Sequence, residues 1–145
     1  MLTTKPRFQT FEEYLQYDDN LELEVRGEPK NRYPDLTIIR EEHIQQLSKR
    51  NTLRLFMSPP LLVIEVVSPG EIQRERDYIA KRIQYQDCRI PEYWIVDPQR
   101  QTISILQLTG DSYKEVGNFS QDDLIKSPMF QELRLTVSEV FQLTS

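Results

Sequence analysis

A carboxylate stands in the middle of an apolar run. In Leu61-Leu-Val-Ile-Glu-Val-Val67, Glu65 has only aliphatic neighbours. An ionised carboxylate in such surroundings is costly unless a cation or a metal ion meets it. A second carboxylate, Asp35, opens the β-branched run Asp35-Leu-Thr-Ile-Ile39, 30 residues earlier, enough chain for a helix or loop between adjacent strands. Two strand-borne carboxylates side by side offer oxygen ligands to a hard cation, and Mg²⁺ in such a site keeps several waters. A metal there activates a water and stabilises charge developing on a phosphoryl group.

The next segment supplies a cation. Asp77 and Lys81 are four apart, hence on one face of a helix, and Tyr85 continues the stripe. If that face looks back at the strand, Lys81 meets the carboxylates, and Asp77 orients Lys81 or neutralises nearby cations. Val67, two residues past Glu65 and on the same side of the strand, is apolar. Plainer roles exist for each group. Asp35 suits the cap of a turn after Pro34, Glu65 a buried ion pair with an arginine, and Lys81 and Asp77 a solvated helix surface. His43, the only histidine, is expected to be exposed, and Cys88 to pack at a helix end.

The elements that must position these groups are read from periodicity. Thr10 with Glu13 fits a capping box opening a helix over Thr10–Leu15. Leu21, Leu23 and Val25 alternate with Glu22, Glu24 and Arg26, as in a half-buried strand. Asp35–Ile39 reads as a second strand, and Glu41–Arg50 as a surface helix or ordered loop. Leu61–Val67 and Glu92–Asp97 read as strands buried on both faces. Between them Ile72, Ile79 and Ile83 recur at helical spacing, so that Glu71–Asp87 is a helix. Thr102–Leu108 and Ser112–Val116 flank Thr109-Gly-Asp111 as a hairpin. Leu133–Val137 is expected as a last short strand, followed by a helical turn.

The chain has 145 residues, 38% hydrophobic and 28% charged, which suits one soluble domain over residues 1–145. No apolar run is long enough to span a bilayer, and the opening residues lack a signal-peptide core. One cysteine excludes an internal disulfide and argues against a thiolate zinc site, so a reducing cytoplasm is the expected compartment. The formal charge of −5 argues against tight, unspecific binding to nucleic acid. Only four glycines occur, none clustered into a phosphate loop.

Four blocks in order bring a resemblance into view: Tyr33-Pro-Asp-Leu-Thr-Ile-Ile39, then Pro60-Leu-Leu-Val-Ile-Glu-Val-Val-Ser-Pro69, then Asp77, Lys81 and Tyr85, then Ile90-Pro-Glu-Tyr-Trp-Ile-Val-Asp-Pro98. Together they resemble the Uma-type family of restriction-endonuclease-like proteins, in the PD-(D/E)XK nuclease superfamily. The resemblance implies an α/β fold, a restriction-endonuclease-like mixed sheet flanked by helices. It implies Asp35 and Glu65 as ligands of Mg²⁺ or Mn²⁺, and Lys81 as the lysine that in the E-x-K form of the site would stand at Val67. The implied activity is endonucleolytic hydrolysis of DNA. Only Gln16 to Asn20 lie where the family carries a longer stretch with an early glutamate, so the N-terminal layer is expected to be shortened, with Glu24 as a stand-in. That departure, the apolar Val67 and the acidic charge motivate an alternative: a catalytically silent nuclease-like fold acting as a binding or dimerisation module. A homodimer is compatible with both.

Overall fold

A computed structural model describes residues 21–48 and 50–144. The helix expected over Thr10–Leu15 and the shortened opening layer lie outside them. The central element is a five-stranded mixed sheet in the order β3-β5-β6-β7-β8, formed by Leu36–Ile38, Leu62–Val66, Glu92–Asp97, Thr102–Thr109 and Ser112–Ser120. β5 and β6 run parallel, and every other neighbouring pair is antiparallel. A parallel pair needs a crossover. Here it is a helical rod of three contiguous pieces: α2 (Glu71–Glu75), a π-helical turn (Arg76–Ala80) and α3 (Lys81–Asp87). Gly70 starts the rod at φ +115°, a conformation that a side chain would strain.

Side-chain parity divides the core. Val63, Glu65 and Val67 of the β5 segment, with Tyr93 and Ile95 of β6, face the rod. Leu62, Trp94, Val96, Ile103 and Ile105 face the other way, against Ile125, Val137 and the partly buried Val140 and Phe141 of α4 (Val137–Thr144). A smaller sheet, β2-β1-β4, is built from Asn31–Arg32, Glu22–Glu24 and Thr52–Leu53. Its Leu21, Leu23, Val25 and Leu53 belong to the same buried cluster as Val63 and Tyr85, so the rod and the small sheet share one side of the central sheet. Full burial of each such aliphatic side chain contributes about 1.5–3 kcal/mol.

The C-terminal layer is fastened by a second buried carboxylate. Glu92 accepts hydrogen bonds from the Trp94 indole at 2.6 Å, the Ser127 hydroxyl at 2.5 Å and the Met129 amide at 3.0 Å. The expected strand over Leu133–Val137 is reduced to one bridge, Leu124 with Thr136, because the chain enters α4 at Val137.

Two local expectations are corrected. Ile72, Ile79 and Ile83 are exposed, at 80%, 53% and 52%, so their periodicity marks the outer face of the rod. The inner face carries Gln84 and Tyr85, both buried, with Tyr78 and Lys81 partly so. These side chains hydrogen-bond the sheets, and polar residues that find partners inside defeat a reading based on hydrophobicity alone. His43 is fully buried. It opens the short α1 (His43–Gln46), where its Nδ1 accepts the Arg40 amide at 3.0 Å. Its Nε2 therefore carries the proton and donates to the Ser58 carbonyl at 2.8 Å. Backbone partners on both nitrogens make an imidazole tolerable where the sequence shows only a polar residue.

Candidate active site

β3 and β5 pair antiparallel with Leu36 opposite Ile64. One step further, just outside β3, Asp35 comes near enough to Glu65 for its charge to act on the Glu65 carboxyl. Asp35 is exposed, and its Oδ2 accepts the Val66 amide at 2.7 Å. Glu65 is 2% exposed. Lys81 Nζ, from the first turn of α3, lies 3.0 Å from Glu65 Oε1. The Tyr85 hydroxyl, one turn later, donates to Oε2 at 2.5 Å. The strand carboxylate and the helix cation that sequence spacing proposed to join are therefore in contact.

Burial pushes the Glu65 carboxyl up to about 7, against the opposing pull of the Lys81 charge and the Tyr85 bond; the nearby Asp35 charge adds to the rise. Burial, then the charge and hydrogen bond of Glu65, push the Tyr85 phenol far up, so it remains a donor. A carboxyl poised near neutrality beside an ammonium group, with an exposed carboxylate alongside, is the kind of perturbed cluster that marks functional sites.

The donor set fits a hard divalent cation. Two carboxylates with open space on the Asp35 side match an ion that completes its shell with water. Among the described residues no group of three or more His, Cys, Asp or Glu side chains is arranged to hold a metal. Glu24 is not brought to this pair. Its Oε1 accepts the Leu55 amide at 2.9 Å, its Oε2 lies 3.7 Å from Arg54, and it lines a cavity of about 240 Å³ with Pro59 and Pro60, at the opposite end of β5. Asp77 falls in the π-helical turn, and its side chain lies outside those described.

A second buried carboxylate lies on the same face, at a position that the sequence offers only as a structural strand-end residue. Asp97 closes β6 and is fully buried. Arg74 grips it through both terminal nitrogens, the Tyr78 hydroxyl donates to it at 2.9 Å, and the Gln99 and Arg100 amides donate at 3.1 Å each. Burial alone would raise the Asp97 carboxyl, but the bonds from Arg74, the Arg100 backbone and Tyr78 hold it below its usual range. One signal was available: Arg74 and Tyr78 are four apart, as Lys81 and Tyr85 are. The two carboxylates differ in saturation. Asp97 is closed by five donors and stays ionised, whereas Glu65 has two described partners and is held near its point of titration.

The fold and the family are independently recognisable. The chain is similar in structure to a crystal structure described as "a putative nuclease belonging to DUF820 from Anabaena variabilis ATCC 29413", with a TM-score of 0.55 and 20% identity. The match covers 85% of this chain and 65% of that one, so the chain spans less than two thirds of its neighbour's length. No curated protein matches the chain. Among the described residues no helix is long and apolar enough to cross a membrane. The profile of the Uma2 family, described as "Putative restriction endonuclease", matches residues 9–138. With the mixed sheet flanked by helices, that match over most of the chain means that the protein belongs to the Uma2 restriction-endonuclease-like family.

Proposed function

We propose that the protein is a divalent-metal-dependent endonuclease that hydrolyses phosphodiester bonds of DNA. The observation that carries this reading is the approach of Lys81 Nζ to within 3.0 Å of Glu65 Oε1, beside Asp35. An ammonium turned to solvent would instead have favoured a silent fold. Asp35 and Glu65 are the residues that would hold the metal. Bound there, Mg²⁺ or Mn²⁺ supplies Lewis acidity toward a phosphoryl oxygen and lowers the pKa of water.

The remaining work falls to the chain. Lys81 orients the attacking water and balances negative charge as it develops on the phosphoryl group, a preorganised electrostatic contribution in a partly buried site. Tyr85 holds Glu65 Oε2 and Lys81 holds Oε1, so Glu65 would meet the cation through a remaining lone pair, beside Asp35. Hydrolysis adds water across one P–O bond with no covalent intermediate on the protein.

Supercoiled plasmid incubated with the native protein in Mg²⁺ or Mn²⁺ tests this. Nicking that EDTA and the Asp35→Ala/Glu65→Ala double variant abolish is the expected result. Equal behaviour of native and variant protein would sink the reading and favour a nuclease-like binding module, a role the acidic charge of −5 also suits.

A further inference from the structure

The rod carries one pattern twice: a cation followed four residues later by a tyrosine. Lys81 and Tyr85 close on Glu65 of β5, and Arg74 and Tyr78 close on Asp97 of β6. β5 and β6 are neighbouring parallel strands, and Val66 pairs with Val96. Glu65 and Asp97 therefore sit on one face of one pair of strands. The rod is pinned to that face at two points about 10 Å apart along its axis.

The π-helical turn Arg76–Ala80 separates Arg74 from Lys81 and itself carries Tyr78. Such a turn departs from α-helical geometry and changes the rotation of α3 about the rod axis relative to α2. The backbone of α2 alone therefore does not dictate where Lys81 points. An anchor that holds both sides of the turn's start does: Arg74 before the turn and Tyr78 within it bond the same Asp97 carboxylate. Arg74 supplies rigidity, since a planar guanidinium bonded through both terminal nitrogens to a carboxylate fixes direction as well as distance. Arg100 completes the grip, its Nε 3.9 Å from Asp97 Oδ2 and its guanidinium 5.9 Å from the Tyr78 ring centre.

We propose that Asp97, Arg74 and Tyr78 form a positioning clasp that sets the rod so that Lys81 meets Glu65. The clasp touches neither metal nor substrate and acts through Lys81. It rests on the reading of Glu65 and Lys81 as the reaction centre, so its test includes a measurement independent of turnover.

Arg74→Gln, Arg74→Lys, Asp97→Asn and Tyr78→Phe are compared with the native protein in two ways. The first is the rate of reductive methylation of Lys81 in metal-free protein, read by mass spectrometry against the surface amines Lys114 and Lys126. The second is kcat and KM for metal-dependent DNA cleavage. Arg74→Gln and Asp97→Asn are expected to raise Lys81 methylation relative to the two reference lysines. They should lower kcat by about tenfold to a hundredfold, the scale of a small misplacement, with KM little changed. Arg74→Lys should restore part of the loss. Tyr78→Phe removes one hydroxyl and is the variant to rely on if the others do not fold; it should move both readouts in the same direction. Faster methylation in the variants of a native protein that cleaves nothing would support the clasp and remove the nuclease reading. Lower melting temperatures with unchanged Lys81 methylation and unchanged kcat would overturn the clasp.

Discussion

At the residue scale the proposed chemistry turns on Glu65. Its carboxyl is displaced from 4.5 to about 7, chiefly by burial. Below pH 4.5 the group is protonated in both the folded and the unfolded chain. Between 4.5 and 7 the unfolded chain loses the proton while the folded chain keeps it, so rising pH favours unfolding. Above 7 both forms are ionised, and about 3 kcal/mol of stability has been lost. Chemical denaturation at pH 5 and pH 8 should therefore show a deficit at pH 8 that Glu65→Gln largely removes. An equal pH dependence in both proteins would contradict the displaced carboxyl. Lys81→Ala leaves Glu65 buried without its cation, a loss of about 3–5 kcal/mol when the carboxylate must stay charged. At pH 6 the carboxyl takes up a proton instead, so the same variant should be less destabilised at pH 6 than at pH 8. A divalent metal held as proposed would compete with that proton, so Mn²⁺ affinity measured by calorimetry should weaken as pH falls below about 7.

At the element scale the rod is amphipathic in an unusual sense. Its outward face carries Ile72, Ile79 and Ile83, and its inward face meets the sheet through cations and tyrosines. Replacing Ile79 and Ile83 by Gln should change unfolding free energy by no more than about 0.5 kcal/mol each, as for ordinary surface positions. Tyr85→Ala, at a fully buried position, should cost about 3–5 kcal/mol. Urea denaturation decides both, and a large loss in the isoleucine variants would mean that this face is covered in the native protein. The helix itself was legible from spacing, but which face it buries was not. Hydrophobic period reports apolar burial, and here the buried contacts are ion pairs and hydrogen bonds.

At the scale of the whole molecule, two buried carboxylates on opposite faces of β6 divide the labour. Asp97 faces the rod, and Glu92 holds the C-terminal layer through Trp94, Ser127 and Met129. Glu92→Ala would strand three donors and open a void, with an expected loss of about 3 kcal/mol or more. Because Glu92 is turned away from the Glu65 face, the folded fraction should keep, per molecule, the cleavage activity proposed for the native protein. Denaturation paired with plasmid nicking separates the two effects.

What the sequence determined by itself is what short-range periodicity carries. It marked β5 with a carboxylate among aliphatics, β6, the β7–β8 hairpin, and a helix presenting Lys81 and Tyr85 at one spacing. Those features depend on neighbours within a turn or a strand, so they can be read without knowing what lies opposite. Tertiary structure alone decided the rest. It brought Asp35 near Glu65, drew Glu24 away to Arg54 and Leu55, and enclosed His43 between two backbone groups. It paired the two-residue strand β4 with β1 in parallel and brought Asp97 under Arg74 and Tyr78. Apart from the approach of Asp35 to Glu65, each of these is a hydrogen bond or ion pair that defines a polar group by its partner. Apart from the bond between His43 and the Arg40 amide, those partners lie 15 or more residues away along the chain.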